Sequence, residues 1–168
     1  MHVFTDAATT PARIGGVLVD PTRGIYRAFE EHVPWRTRHW FRSRKQPIMQ
    51  YEMLGVHVAL SSWREWLAGR RVIFWVDNRA AERIFVRGSA RAPDANLLAS
   101  WFWQRCAIDR VRPEIFRVAS SSNCADGPSR GDWSLLGPGF ERDRVMMPPE
   151  LDPVVPRSEV EALIWGAA

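Results

Sequence analysis

The sequence predicts a single α/β domain: a five-stranded mixed sheet flanked by helices. Three observations carry that expectation. Short β-branched runs separated by turn formers fill the N-terminal stretch, as successive strands do. At Gln50 the apolar spacing changes to steps of three and four, the period of a helix face. The chain is 168 residues long and 46% apolar, enough for one well-buried core with little room for a second.

Each element has its own signal. His2 to Ala7 and Ile14 to Asp20 are the first two strands, and Asp20-Pro21-Thr22-Arg23-Gly24 is strong turn chemistry leading into a third, Gly24 to Phe29. Three antiparallel strands in a row is the simplest arrangement. Val56, Leu60, Trp63 and Leu67 mark one face of a helix from Gln50 to Leu67. Arg71 to Val76 is continuously apolar after a basic start, as in a central strand covered on both sides. A short helix around Ala80 to Val86 follows. Pro93 and Asp94 suit the first turn of the next helix, whose stripe is Leu97, Leu98, Trp101 and Phe102. Pro113 to Val118 is the last expected strand. Beyond it the character shifts, so the domain is placed at 1–135 and a Pro-rich tail at 136–168. Ser158 and Glu161 have capping-box spacing before Leu163, Ile164 and Trp165, which predicts a short terminal helix with an apolar stripe that must dock on its own core or on a partner.

Composition narrows the function classes. The net charge is +4, and Lys45 is the lone lysine among 23 basic residues. Arginine offers phosphate a planar fork of donors, which favours a nucleic-acid partner, although a GC-rich genome produces the same bias. Cys106 and Cys124 do not make a disulfide framework, so the expected setting is reducing. No apolar run is long enough to span a membrane, and the N-terminus lacks the pattern of a secretory signal. A soluble intracellular protein is expected, with its compartment open.

The chemistry is concentrated in carboxylates. Asp6 in Thr5-Asp6-Ala7 and Asp77 in Val76-Asp77-Asn78 stand at the ends of apolar strands, where a carboxylate is costly to bury unless a cation neutralises it. Glu52 opens the helix in Glu52-Met53-Leu54-Gly55, and Asp126 lies in Asn123-Cys124-Ala125-Asp126-Gly127-Pro128-Ser129-Arg130. Singly, each has an ordinary structural role as a cap or a helix-dipole partner. Asp109 and Asp132 lie outside these motifs and are expected to face solvent. His2, His32, His39 and His57 are scattered and show no ligand spacing.

Over residues 2 to 131, this order of strands, helices and acidic motifs resembles the ribonuclease H family, most closely the ribonuclease H domains of retroelement reverse transcriptases of the DIRS and LTR types. Ser89, Arg91, Pro93 and Asn96 also fall where that group has similar residues. The resemblance implies an endonuclease that hydrolyses the RNA strand of an RNA–DNA hybrid. It also implies two Mg²⁺ ions, with Mn²⁺ as a substitute, that activate water and stabilise the leaving oxygen. By position Asp6 would bridge both ions, Glu52 and Asp77 would complete one site, and Asp126 the other. All donors are oxygen, which suits a hard cation. One departure is clear: Arg117 to Asn123 contains no histidine, where many relatives carry one before the last aspartate. The resemblance also leaves open a degenerate domain, retained as a structural or nucleic-acid-binding subunit of a larger assembly. A polymerase domain of a reverse transcriptase is one partner it implies, with the tail as the contact.

Substrate contacts are expected from Trp35 to Lys45, which interleaves Arg36, Arg38, Trp40, Arg42 and Arg44. Aromatic rings stack on bases while arginines neutralise phosphates, though the same composition fits a solvated loop pinned by its rings. Gln50, Asn78 and Arg79 flank the acidic positions and are expected to contact the strand being cut.

Overall fold

A computed structural model describes residues 1–41, 45–148 and 151 of the chain. Arg42, Arg44 and the expected terminal helix lie outside these residues. β1 (His2–Thr9), β2 (Ala12–Asp20) and β3 (Ile25–His32) run antiparallel. Pro21–Arg23 forms the turn between the last two, and Gly24 closes it at φ 65°, a left-handed conformation that glycine adopts without a Cβ penalty. α1 (Trp35–Trp40), α2 (Ile48–Ser62) and α3 (Arg64–Leu67) lead to β4 (Arg71–Val76). α4 (Arg79–Arg87), α5 (Pro93–Ile108), β5 (Arg112–Arg117), α6 (Asp126–Arg130) and β6 (Glu141–Arg142) follow.

The sheet has six strands in the order β5-β4-β1-β2-β3-β6, not the expected five. β4 is an interior strand, parallel to both β1 and β5, but it is not covered on both sides as expected: Val72, Phe74 and Val76 are buried, whereas Ile73 and Trp75 on the other face are half-buried. The extra strand, β6, pairs parallel with β3 through Glu141 and Arg142. Two residues cannot display alternation, so no hydrophobic pattern announces it. Side chains pin it instead. Arg27 of β3 donates to Asp143 Oδ2 at 2.7 Å and Oδ1 at 2.8 Å, and Trp63 Nε1 donates to the same Oδ2 at 2.7 Å.

Alternation along β1 places the two helical layers. Thr5 faces one side, where it meets Gly55 of α2, and every residue of α2 from Gln50 to Ser61 is buried. Asp6 faces the other side, paired in register with Gly15 of β2. A Cβ on Gly15 would run into the Ser129 amide and the Ala125 carbonyl, so α6 lies directly on the sheet there. The main core fills the α2 side, with Phe29, Trp63, Phe74, Phe85 and Phe102 fully buried. A smaller cluster on the α6 side joins Val17, Ala28 and Ala125 to Trp133, Leu136 and Phe140.

Two local expectations change. The basic–aromatic segment is not simply a loop, because α1 turns Trp40 onto Phe41 and Trp101, with ring centroids 4.9 and 5.8 Å apart. Asp109 does not face solvent: it is buried, and it accepts from Arg64 at 2.7 Å and Arg105 at 2.6 Å. These guanidinium groups overcome the cost of burial and hold its carboxyl below the usual range. His57 is core filler, its Nε2 2.9 Å from the Leu98 carbonyl oxygen, and burial lowers its pKa to about 4. No helix among the described residues is long and apolar enough to cross a membrane.

Candidate metal centre

Three of the four acidic positions converge. Asp6 comes from β1, the strand between β4 and β2, Glu52 from the buried helix α2, and Asp77 from the residue just after β4. Each offers an oxygen, and these oxygens lie within 4.8 Å of one another. Asp6 and Glu52 are buried, and Asp77 is partly exposed at the mouth of a cleft of about 540 Å³. Asp126 lines the same cleft from the first residue of α6 but stands outside the group of three. Its Oδ1 accepts from Arg130 Nε at 2.8 Å.

Crowding of like charges in a buried place sets the electrostatics. Burial pushes the Asp6 carboxyl up to about 6, and the charges of Asp77 and Asp126 add to that shift, while the Ser129 hydroxyl opposes it. Glu52 is raised well above its usual value, first by burial and then by Asp6 and Asp77. Glu52 Oε2 is buried and has no hydrogen-bond partner. A lone buried carboxylate oxygen facing two more carboxylates is poorly satisfied by protein alone. The residues therefore fit a divalent cation, and the all-oxygen donor set fits a hard one.

The closing motif ties the cleft together. Asn123 Nδ2 donates to the Thr5 carbonyl at 3.0 Å, and Asn123 Oδ1 accepts from the Ala125 amide at 3.2 Å. The single proton of the Ser129 hydroxyl is given to Asp6 Oδ2, and the same oxygen lies 2.9 Å from the Asp126 carbonyl. Sequence reasoning noted Ser129 and Arg130 as motif letters but gave neither a role. Their spacing from Asp126, three and four residues along a helical turn, was the available signal.

The expected substrate contacts are scattered in their surroundings. Asn78 lines the cleft and caps α4, its Oδ1 accepting from the Ala80 and Ala81 amides at 3.0 and 3.1 Å. Arg79 is exposed beside it. Gln50 is buried, and its amide donates to Asp94 Oδ2 at 3.0 Å, away from the open cleft. Arg36 and Arg38 are exposed on α1, Arg36 lying 5.4 Å over the Trp35 ring. A second groove of about 290 Å³ was not foreseen. Arg83 and Arg87 of α4 and Arg91 of the following loop wall it, with Met49 and Ala95 at its floor.

The sequence matches no family model and no curated protein. Among solved structures, the chain is similar to ribonuclease H1 from the halophilic archaeon Halobacterium salinarum NRC-1, with 17% identity and a TM-score of 0.60. The match covers 76% of this chain and 92% of that one. The chain therefore has a ribonuclease H-like fold.

Proposed function

We propose that this protein is a metal-dependent endonuclease that hydrolyses the RNA strand of RNA–DNA hybrids, leaving a 3′-hydroxyl and a 5′-phosphate. The convergence of Asp6, Glu52 and Asp77 around an unpartnered Glu52 oxygen carries the reading. Two Mg²⁺ ions, held by Asp6, Glu52, Asp77 and Asp126 and replaceable by Mn²⁺, would supply the Lewis acidity and the nucleophile for in-line displacement. The protein's own share is positioning. Ser129 orients Asp6, and Asn123 fixes the loop that brings Asp126 to the cleft. Asn78 and Arg130 line the cleft and Arg79 is exposed next to Asn78, and donors there suit phosphate and sugar oxygens. Arg36, Arg38 and Trp40, together with Arg42 and Arg44, are assigned to more distant contacts with the hybrid. Descent from a retroelement reverse transcriptase belongs to the same proposal, resting on the closing motif in which Asn123, Ala125, Ser129 and Arg130 each have a structural use.

A second reading, a hybrid-binding domain that no longer cuts, draws on Arg130 holding Asp126 and on the histidine-free loop before it. Cleavage of an end-labelled hybrid separates the two. We expect cutting with Mg²⁺ or Mn²⁺, loss with a chelator and recovery on metal addition. Tight hybrid binding with no cleavage under any divalent ion would favour the second reading.

A further inference from the structure

The sheet carries a row of aromatic rings on the α6 side that plays no part in the carboxylate cleft. Register sets Phe4 beside Trp75 and Trp75 beside Phe116, across β1, β4 and β5. The rings overlap. Phe4 and Trp75 are 5.8 Å apart at 11°, and Trp75 and Phe116 are 5.6 Å apart at 35°. His2 stacks on Trp75 from the next row, with Trp75 Nε1 donating to its Nδ1 at 3.1 Å. Phe4 is held by the smaller core, whereas Phe116, on the edge strand, is 45% exposed. The row thus opens progressively from an anchored end to a free face.

Charged side chains lie along the same sheet face. On the same side of β4 and β5, rows about 7 Å apart run from Trp75 and Phe116 through Ile73 and Glu114 to Arg71 and Arg112. Glu114 is the carboxylate of these rows, and the Arg71 guanidinium beside it holds it below its usual range. Arg112 is exposed two rows from Phe116 on this face, whereas Arg117, the next residue after Phe116, is turned to the opposite face and donates to the Asp77 carbonyl at 3.3 Å. The exposed ring area is too small for a stable dimer, which buries about 800 Å² on each partner. An exposed ring at the end of an aromatic stack, with an arginine two rows along the same face, instead matches the needs of unpaired bases and their phosphates.

We propose that the outer face of Phe116, backed by Trp75, is a stacking platform for single-stranded nucleic acid, with Arg112 contacting its backbone. This does not rest on the cleavage reading, because none of these side chains belongs to the carboxylate cleft.

The test is binding of short labelled oligo-dT and oligo-U to the full chain in chelator, where nothing can be cut. Wild type should bind both strands. Phe116→Ala should weaken binding about five- to a hundredfold. Phe116→Leu, which preserves an apolar strand residue, should weaken it similarly, and Phe116→Tyr should retain it. Arg112→Gln should reduce the slope of log K against log salt by about 0.7. Melting curves establish that each variant is folded, and metal-dependent activity on hybrid should be unchanged. The proposal is overturned if wild type binds neither strand, or if the folded Leu variant binds as tightly as wild type. It is equally overturned if sedimentation shows a dimer that Phe116→Leu dissociates while strand binding persists, since the face would then belong to a second copy.

Discussion

Burial and ionised neighbours penalise the charged forms of Glu52 and Asp6 in the metal-free protein, which raises both carboxyls above their usual range. Asp77→Asn removes one of those neighbours. We expect it to stabilise the metal-free fold by about 1 kcal/mol, the scale of a one-unit shift in pKa, while abolishing hybrid cleavage. Melts in chelator and a cleavage assay read the two effects; an unchanged melt together with normal cleavage would sink the metal assignment. The pH dependence has a definite sign. The folded pKa of Asp6, about 6, is raised, so the folded state holds protons that the unfolded chain releases, and apo stability falls as pH rises from about 4 through 6. His57 acts oppositely. Its pKa near 4 in the fold means that its contribution is lost as pH falls from about 6.5 toward 4. Because a cation displaces the carboxylate protons, the rise in melting temperature produced by Mg²⁺ should grow as pH passes upward through 6. A metal effect that is flat with pH would place the ion elsewhere. The acidic positions were legible because each sits in a short local motif. Asp109 was not, since one of its two arginines, Arg64, comes from far back in the chain.

Elements reach the site through close approach rather than through hydrophobic mass. α6 is five residues long, too short to hold its place by burial alone, and Gly15 lets its backbone lie against β2. Gly15→Ala would force that contact open and move Ser129 away from Asp6. Overpacking of this kind costs about 1–3 kcal/mol, so the variant should melt earlier and lose most of its cleavage at saturating substrate. Full activity in Gly15→Ala would mean that α6 can shift without disturbing Asp6. β6 poses the complementary case. Asp143 satisfies both Arg27 and Trp63, so Asp143→Ala leaves an indole N–H without its acceptor and the Arg27 guanidinium with the exposed Glu141 in place of a bidentate partner. A loss of about 1–3 kcal/mol is expected by denaturant titration, with metal-induced stabilisation intact. If stability is unaffected, the contact is incidental. A sequence cut at 135 gives no hint of this brace, because it depends on long-range polar contacts and on a strand of two residues. α1 was obscured for a related reason: its apolar side is made of rings that meet Trp101, far along the chain.

At the scale of the molecule, the sheet order follows from a pattern that one sequence displays well. Short β-branched runs between turn formers set the antiparallel strands, a continuous apolar run makes β4 an interior strand, and three- and four-residue spacing makes α2 a buried helix. Charge placement is less legible, because surface arginines obey no period and their directions depend on the packed whole. Arg36 and Arg38 are exposed on α1, on the stretch that leads into α2, and Arg42 and Arg44 follow them in sequence. If these four arginines track the hybrid backbone, each neutralises a phosphate and releases its counterions. Replacing all four with glutamine should then weaken hybrid binding and lower the slope of log K against log salt by up to about 0.9 for each phosphate no longer neutralised. Mg²⁺-induced stabilisation should stay as in wild type, because none of the four belongs to the carboxylate group. Measured over a range of salt concentrations in chelator, an unchanged slope would show that this basic stretch points away from the nucleic acid. Hybrid affinity would then have to come from Arg130 at the cleft, from the exposed Arg79 beside Asn78, and from the groove lined by Arg83, Arg87 and Arg91.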